Sequence, residues 1–337
     1  MAEKLPNVVI CSRLIQRVNG ERCMFENLLL QSYPSISVSW FEMKTNPETY
    51  AEDLKSAEII VGDAKDFHQL LPFAPNLKWF QVSSAGVNLI MEKVNRSEGT
   101  PQYPFTVTRM GGTYHSAIAE YVIAQIISRE RQFEKMREEQ KIKCWDRKYR
   151  TYRILKELTI GIIGAGDIGV EVARCCKCFG MKTIGLCKQD RPKEQRSQYI
   201  DVYLSGSKLS QLLAESDYIC SILPSSPDTD NFFQEDTFSH CTKKPVFINV
   251  GRGTCVREET IINAIRNGWL SGAIIDVTEP EPLPKESKLW TMPEVVITPH
   301  VSGFASDTVM FDTFVNNLQK FLRKQPLNYE IDFSKNY

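Results

Sequence analysis

Several things are scarce in this sequence, and each scarcity closes off a class of function. Net charge is absent: 41 basic residues balance 41 acidic ones. That leaves no bulk attraction to nucleic acid or to an anionic membrane, so neither is expected as a partner. No apolar run approaches the ~20 residues needed to cross a bilayer. The opening MAEKLPNVVI lacks the basic start and apolar core of a secretory signal, and the closing Ser-Lys-Asn-Tyr is not a peroxisomal address. Internal repeats and low-complexity tracts are missing too.

Zinc spacing is also lacking. The ten cysteines stand at 11, 23, 144, 175, 176, 178, 187, 220, 241 and 255, with no second CxxC and no histidine pair. Cys175-Cys176-Lys-Cys178 falls within a predicted helix and reads as small residues packing it, so no metal is expected. Free thiols in this number point to a reducing compartment, the cytoplasm.

What remains is a globular composition, 42% hydrophobic and 24% charged over 337 residues, enough for two domains. Short β-rich runs (VVICSRL, ISVSWFEM, AEIIVGD, LKWFQVSSAGV, FTVTRM) fill the first hundred or so positions. Helical stretches at 21–33 and 47–56 lie between them, the latter opened by Asn46-Pro47. A single amphipathic helix is predicted from His115 to about Gln140. A second series of strands follows: LTIGIIG, MKTIGLC, YLSG, SDYICSIL, PVFINV, GAIIDV and EVVIT. Helices are predicted from Asp167 to Phe179, over 258–267 and over 305–324. Alternating strands and helices predict an α/β chain with two parallel sheets. The stretch 135–153 carries eight basic residues against three acids. It reads as a solvated helix end and connector rather than a nucleic-acid patch.

Between LTIGII and a helix lies Gly164-Ala165-Gly166-Asp167-Ile168-Gly169. In strand–turn–helix context this spacing marks a dinucleotide site. The first glycine allows the turn, the second admits the pyrophosphate, and the third lets helix and strand approach. The helix N-terminus then offers unpaired N–H groups to the phosphates.

Three polar residues follow later strands: Arg252 in NVGRG, Glu281 in DVTEPEPLP and His300 in VVITPHVSG. Ligands of open parallel sheets bind beyond the carboxyl ends of the strands, so these loops share the edge with the dinucleotide. Ketone reduction needs a proton donor, which histidine can be near neutrality, and a carboxylate on its other nitrogen would fix the tautomer. Arginine supplies a planar fork for carboxylate and carbonyl oxygens.

These segments, together with SILPSSPDT and SSAGVN at 83–88, resemble the D-isomer-specific 2-hydroxyacid dehydrogenase family, most closely its glyoxylate/hydroxypyruvate reductase branch. The resemblance implies Rossmann-like domains, with a dinucleotide-binding domain (110–304) inserted into a discontinuous substrate domain (1–109 plus 305–337). It implies that Arg252, Glu281 and His300 are catalytic and that Ser84, Ala85, Gly86 and Val87 bind substrate carboxylate, Arg252 and His300 also touching the substrate. It places Leu223, Pro224, Thr229, Val250, Gly251, Ser302 and Gly303 on the cofactor, with Asp276 on the nicotinamide side. Formate dehydrogenases share the fold but pair glutamine with the histidine, so Glu281 sets this chain apart. The resemblance also implies a homodimer, in which Trp145 either reaches the partner's site or packs in the interface. His115 is read as a capping or packing residue, and His68 and His240 as surface residues.

NAD-preferring relatives carry an aspartate at the position of Cys187. Here that acid is absent, Lys188 and Arg191 follow, and Asp190 comes three residues late. A 2′-phosphate would meet basic residues instead of a repelling carboxylate, so NADP (as NADPH) is the expected cofactor, with NAD the second candidate. The expected function is reduction of a small 2-oxo acid to the 2-hydroxy acid. The alternative is a dinucleotide-sensing corepressor, which can keep the triad but usually carries extra interaction segments.

Overall fold

The computed structural model describes residues 5–43, 47–94 and 103–333. The tail at 334–337 and the expected helix-opening Asn46 lie outside them. The chain forms two compact units, Met1–Thr113 with Ala305–Tyr337, and Tyr114–Phe304.

In the first unit the strands are β1 (Asn7–Cys11), β2 (Ser37–Trp40), β3 (Ile59–Gly62), β4 (Trp79–Val82) and β5 (Thr106–Thr108). The helices among them are α1 (Met24–Ser32), α2 (Ala51–Ser56), α3 (Phe67–Leu70) and α4 (Asn88–Val94). In the second unit the strands are β6 (Thr159–Ile163), β7 (Lys182–Cys187), β8 (Val202–Ser205), β9 (Tyr218–Ser221), β10 (Val246–Asn249), β11 (Gly272–Ile275) and β12 (Val295–Ile297). Its helices are α5 (His115–Arg131), α6 (Phe133–Lys141), α7 (Asp167–Cys178), α8 (Leu209–Glu215) and α9 (Glu258–Arg266). The last helix, α10 (Asp307–Leu322), returns to the first unit. There Phe314 stacks on Trp79 and meets Phe25 of α1.

Both sheets are parallel, in the orders β2-β1-β3-β4-β5 and β12-β11-β10-β9-β6-β7-β8. The fold class is therefore α/β, as the alternation of strand and helix runs predicted. Strands β6, β9, β10 and β11 are buried at every residue. Burial on both faces explains their nearly unbroken apolar runs. Strand order reverses between β6 and β9. This is the switch point beside which open α/β sheets hold ligands.

The single helix expected from His115 to Gln140 is two helices. Gln132 takes a left-handed conformation, φ 53°, ending α5 and starting α6. Helix α5 buries Ile118, Ala119, Val122 and Ile126, whereas α6 buries nothing. No packing therefore holds the two in line once the apolar stripe ends. The stretch 47–56 opens as a 3₁₀ turn, Pro47–Tyr50, before α2.

The expectation for His68 needs correction. It is half-buried, with its ring edge-on to Phe67 and Nε2 3.3 Å from the Ile90 carbonyl oxygen. His240 is exposed, and His115 opens α5. Of the three clustered cysteines on α7, only Cys176 is buried, and Cys178 is exposed.

Candidate active site

The glycine turn joins β6 to α7 at the switch point. Gly164 sits at φ +100°, and a Cβ there would lie 2.9 Å from the Ile222 carbonyl oxygen. A Cβ on Gly169 would lie 2.4 Å from the Gly164 carbonyl oxygen. Both glycines are required by the protein's own packing. Gly166 differs, because its Cβ would meet nothing within 4 Å beyond the adjoining stretch of its own chain. It is the N-cap of α7 and makes no side-chain cap bond. What its missing side chain leaves clear is space over a helix N-terminus, which fits a dinucleotide's pyrophosphate.

Asp167 and Ile168 form the first residues of α7. The N–H groups of Gly164 and Ala165 both donate to the Leu186 carbonyl oxygen, at 3.2 Å, tying the turn to the end of β7. There Cys187 is half-buried and closes the strand. Lys188 Nζ lies 2.7 Å from Asp228 Oδ2, with both side chains more than two-thirds exposed. Arg191 and Arg196 both lie over the Tyr203 ring. The Leu223–Asp230 loop is stapled by Thr229, whose Oγ1 donates to the Pro224 carbonyl oxygen at 2.6 Å.

Arg252 is carried on a turn after β10. Asn249, fully buried, holds that turn from both sides: its Nδ2 donates to the Arg252 carbonyl oxygen at 3.0 Å, and its Oδ1 accepts from Gly251 N at 3.2 Å. Val250 is buried. The glycines flanking Arg252 let this turn lie against its neighbours. A Cβ on Gly251 would meet the Leu223 carbonyl oxygen, and one on Gly253 the Thr278 backbone. Burial pulls the Arg252 pKa below its ordinary value, opposed by the charge of Glu281.

Glu281 and His300 meet directly, Nδ1 to Oε2 at 2.9 Å. The other carboxylate oxygen of Glu281 accepts from Thr278 N at 3.1 Å. The pair is half-exposed. His300 stands at φ +54°. The buried carboxylate of Asp276 accepts from Thr298 Oγ1 at 2.5 Å and from Val301 N and Ser302 N, each at 2.9 Å. Asp276, expected on the nicotinamide side, thus turns its carboxylate to the loop that carries His300. Ser302 is buried, and a Cβ on Gly303 would press on Ile118.

The structure therefore gathers Glu281 and His300 into one hydrogen bond, with Arg252 in electrostatic reach. All three follow carboxyl ends of one sheet, the edge that also bears the glycine turn. Asn249, Thr298 and Tyr121, whose hydroxyl lies 2.7 Å from Thr298 Oγ1, had no assigned part in the sequence reading. Only Asn249 carried a signal, its place at a strand end before a glycine turn. In the first unit, considered alone, Ser84 Oγ donates to the Gly86 carbonyl oxygen at 2.8 Å, and Ser84, Ala85 and Gly86 are half-buried beside buried Val87. A cavity of about 1020 Å³ in the second unit is lined by Arg129, Glu130, Arg153, Lys243, Ser271 and Glu294 among others. It adjoins the amino ends of β11 and β12, the edge opposite the site.

Known proteins resemble this chain in sequence and fold. Residues 123–302 match the model of the D-isomer specific 2-hydroxyacid dehydrogenase, NAD binding domain. A glyoxylate/hydroxypyruvate reductase B of Klebsiella pneumoniae subsp. pneumoniae is 31% identical over 274 residues, 78% of this chain and 81% of that protein. A D-isomer specific 2-hydroxyacid dehydrogenase family protein from Aeromonas salmonicida superposes with a TM-score of 0.84 at 30% identity, over 97% of this chain and 99% of that one. An NADPH-dependent glyoxylate/hydroxypyruvate reductase from Sinorhizobium meliloti, solved with NADP and sulfate, gives 0.79 at 27% identity, over 98% and 100%. Among the described residues no helix is long and apolar enough to cross a membrane. With the parallel sheets, the glycine turn and the matched segment in agreement, the chain belongs to the D-isomer specific 2-hydroxyacid dehydrogenase family.

Proposed function

We propose that this protein reduces a small 2-oxo acid of the glyoxylate or hydroxypyruvate type to the 2-hydroxy acid, with NADPH preferred over NADH. The observation that carries this reading is the 2.9 Å contact between His300 Nδ1 and Glu281 Oε2, with Arg252 beside it. Hydride would come from the nicotinamide when NADPH is bound. His300 gives a proton from Nε2 to the carbonyl oxygen that becomes the hydroxyl. Glu281 on Nδ1 holds the ring in the orientation that leaves Nε2 facing substrate. Arg252 polarises the 2-oxo group and holds the carboxylate, a task suited to a fork kept on a rigid turn by Asn249. The main-chain N–H groups of Ser84–Val87 are assigned to the substrate carboxylate.

Gly164–Gly169 hold the pyrophosphate, with Leu223, Pro224, Thr229, Val250, Gly251, Ser302 and Gly303 completing the cofactor surface and Asp276 fixing the loop between them. At the end of β7, Cys187 supplies no charge to repel a 2′-phosphate, and Lys188 and Arg191 attract it. The domain roles follow: the second unit for the dinucleotide, the first for the substrate.

The connector after α5 supports a homodimer. Helix α6 buries none of its residues, and Ile142 and Trp145 stand 76% and 90% exposed. A second copy would cover them. The ten free cysteines suit a cytoplasmic enzyme.

The test is consumption of NADPH and of NADH with glyoxylate, hydroxypyruvate, pyruvate and a branched 2-oxo acid. Turnover of the first two with NADPH is expected. A preference for NADH would overturn the assignment of Lys188 and Arg191, and no turnover of any 2-oxo acid would overturn the reductase reading.

A further inference from the structure

Tyr121 stands early in α5, beside buried Ile118, Ala119 and Val122. Its phenol oxygen lies 2.7 Å from Thr298 Oγ1, across 177 positions of sequence. A threonine hydroxyl has one proton, and Thr298 gives it to Asp276 Oδ1 at 2.5 Å. The phenol must therefore be the donor. Burial, opposed by the bond to Thr298 and reinforced by the charge of Asp276, raises the Tyr121 pKa, so the donor keeps its proton.

Beyond Asp276 the chain of bonds closes around one residue. Its two oxygens accept from Val301 N and Ser302 N, and its main-chain carbonyl oxygen accepts from His300 N at 2.8 Å. Between these bonds His300 is held at φ +54°. A non-glycine residue stays in that region when its surroundings over-determine it. Glu281 fixes the ring at Nδ1, but only the backbone cage fixes where the ring begins.

We propose that Tyr121 is a positioning residue for the reaction: through Thr298 and Asp276 it fixes the turn that sets His300. This rests on His300 being the proton donor. A bond that merely fastened α5 to the sheet would change stability and leave kinetics alone. The positioning role predicts a loss in kcat, because displacing a catalytic group by a fraction of an ångström slows the step without weakening binding.

The experiment uses the full chain with NADPH and glyoxylate, in Tyr121→Phe, Thr298→Val, Thr298→Ser and His300→Ala. Tyr121→Phe removes one oxygen, and Thr298→Ser keeps the hydroxyl that both accepts and donates. Expected is a roughly ten-fold fall in kcat for Tyr121→Phe and Thr298→Val, with KM within about two-fold and with Thr298→Ser near wild type. A second readout is the imidazole NMR signal of His300 in the protein without substrate, assigned by its loss in His300→Ala. It should shift in Tyr121→Phe and Thr298→Val but not in Thr298→Ser. If His300→Ala abolishes turnover while Tyr121→Phe and Thr298→Val keep wild-type kcat and an unmoved His300 signal, the positioning role is overturned alone. If His300→Ala retains turnover, the proton-donor reading falls, and the positioning role with it.

Discussion

Replacing Gly166 by alanine separates cofactor binding from folding, because this glycine is the one in its turn that the protein's own packing does not require. Its backbone, φ −81° and ψ −156°, is extended and open to any residue. The added methyl would have no neighbour within 4 Å beyond the adjoining stretch of its own chain. Alanine is a poorer N-cap than glycine by a fraction of ~1 kcal/mol. It also loses less chain entropy on folding, worth ~0.4–1 kcal/mol in the other direction. Stability should therefore change by less than about 1 kcal/mol. Binding should not be spared, since the methyl occupies the space through which a pyrophosphate reaches the N–H groups of α7. Overpacking a close contact costs ~1–3 kcal/mol, which corresponds to roughly 5- to 150-fold in Kd. Calorimetric titration with NADPH and thermal unfolding of the same preparation measure both quantities. Gly164→Ala is the contrasting control: at φ +100° and 2.9 Å from a carbonyl oxygen it should lose stability outright. If Gly166→Ala bound NADPH as tightly as the parent while folding normally, the turn would not be the pyrophosphate seat.

Two further outcomes follow from named ion pairs. Asp228 holds Lys188 at 2.7 Å, so a 2′-phosphate must compete with it. Asp228→Asn should lower the KM for NADPH about two- to five-fold, the scale of an exposed ion pair, and leave that for NADH unchanged. Lys188→Ala should raise it, and an equal effect on both cofactors in steady-state kinetics would refute the assignment. Elsewhere, burial of Glu130 would raise its carboxyl pKa, but hydrogen bonds from Arg153 and Tyr218 outweigh it and hold the pKa below its ordinary value. A group depressed in this way stabilises the fold above its unfolded pKa of ~4.3 and loses that contribution as pH falls through the lower folded value. In urea titrations the gap between wild type and Glu130→Gln should be full at pH 7 and shrink steadily below about pH 4. A gap independent of pH would contradict this.

The strands, the glycine turn and the three polar residues of the site were legible because each depends on short-range chemistry. Fully buried strands such as β6 and β9 must be mostly apolar, with Thr159 and Ser221 the polar exceptions at their ends, and Gly164 and Gly169 stand where the turn admits little else. Arg252, Glu281 and His300 each follow a strand, so topology alone carries them to one edge. The break at Gln132 was not legible, since the left-handed residue there is neither glycine nor asparagine. Burial along the helix ends with Glu130, and α6 buries nothing, a change that local pattern does not report. The Tyr121–Thr298 bond was out of reach for another reason. It joins a helix to a strand end 177 positions away, and a tyrosine near the apolar stripe of a helix has the same appearance whether its hydroxyl is bonded or bare. The Lys188–Asp228 pair, 40 positions apart, depends likewise on which strands are neighbours.

Single-turnover oxidation of NADPH by glyoxylate, in wild type and His300→Ala, tests whether His300 donates the proton. Removal of a general acid costs typically ~10²–10⁴-fold in the chemical step. A loss of that size is expected in His300→Ala, with NADPH still bound at near wild-type affinity. A single-turnover rate within a few-fold of wild type would contradict the assignment of His300 as the proton donor.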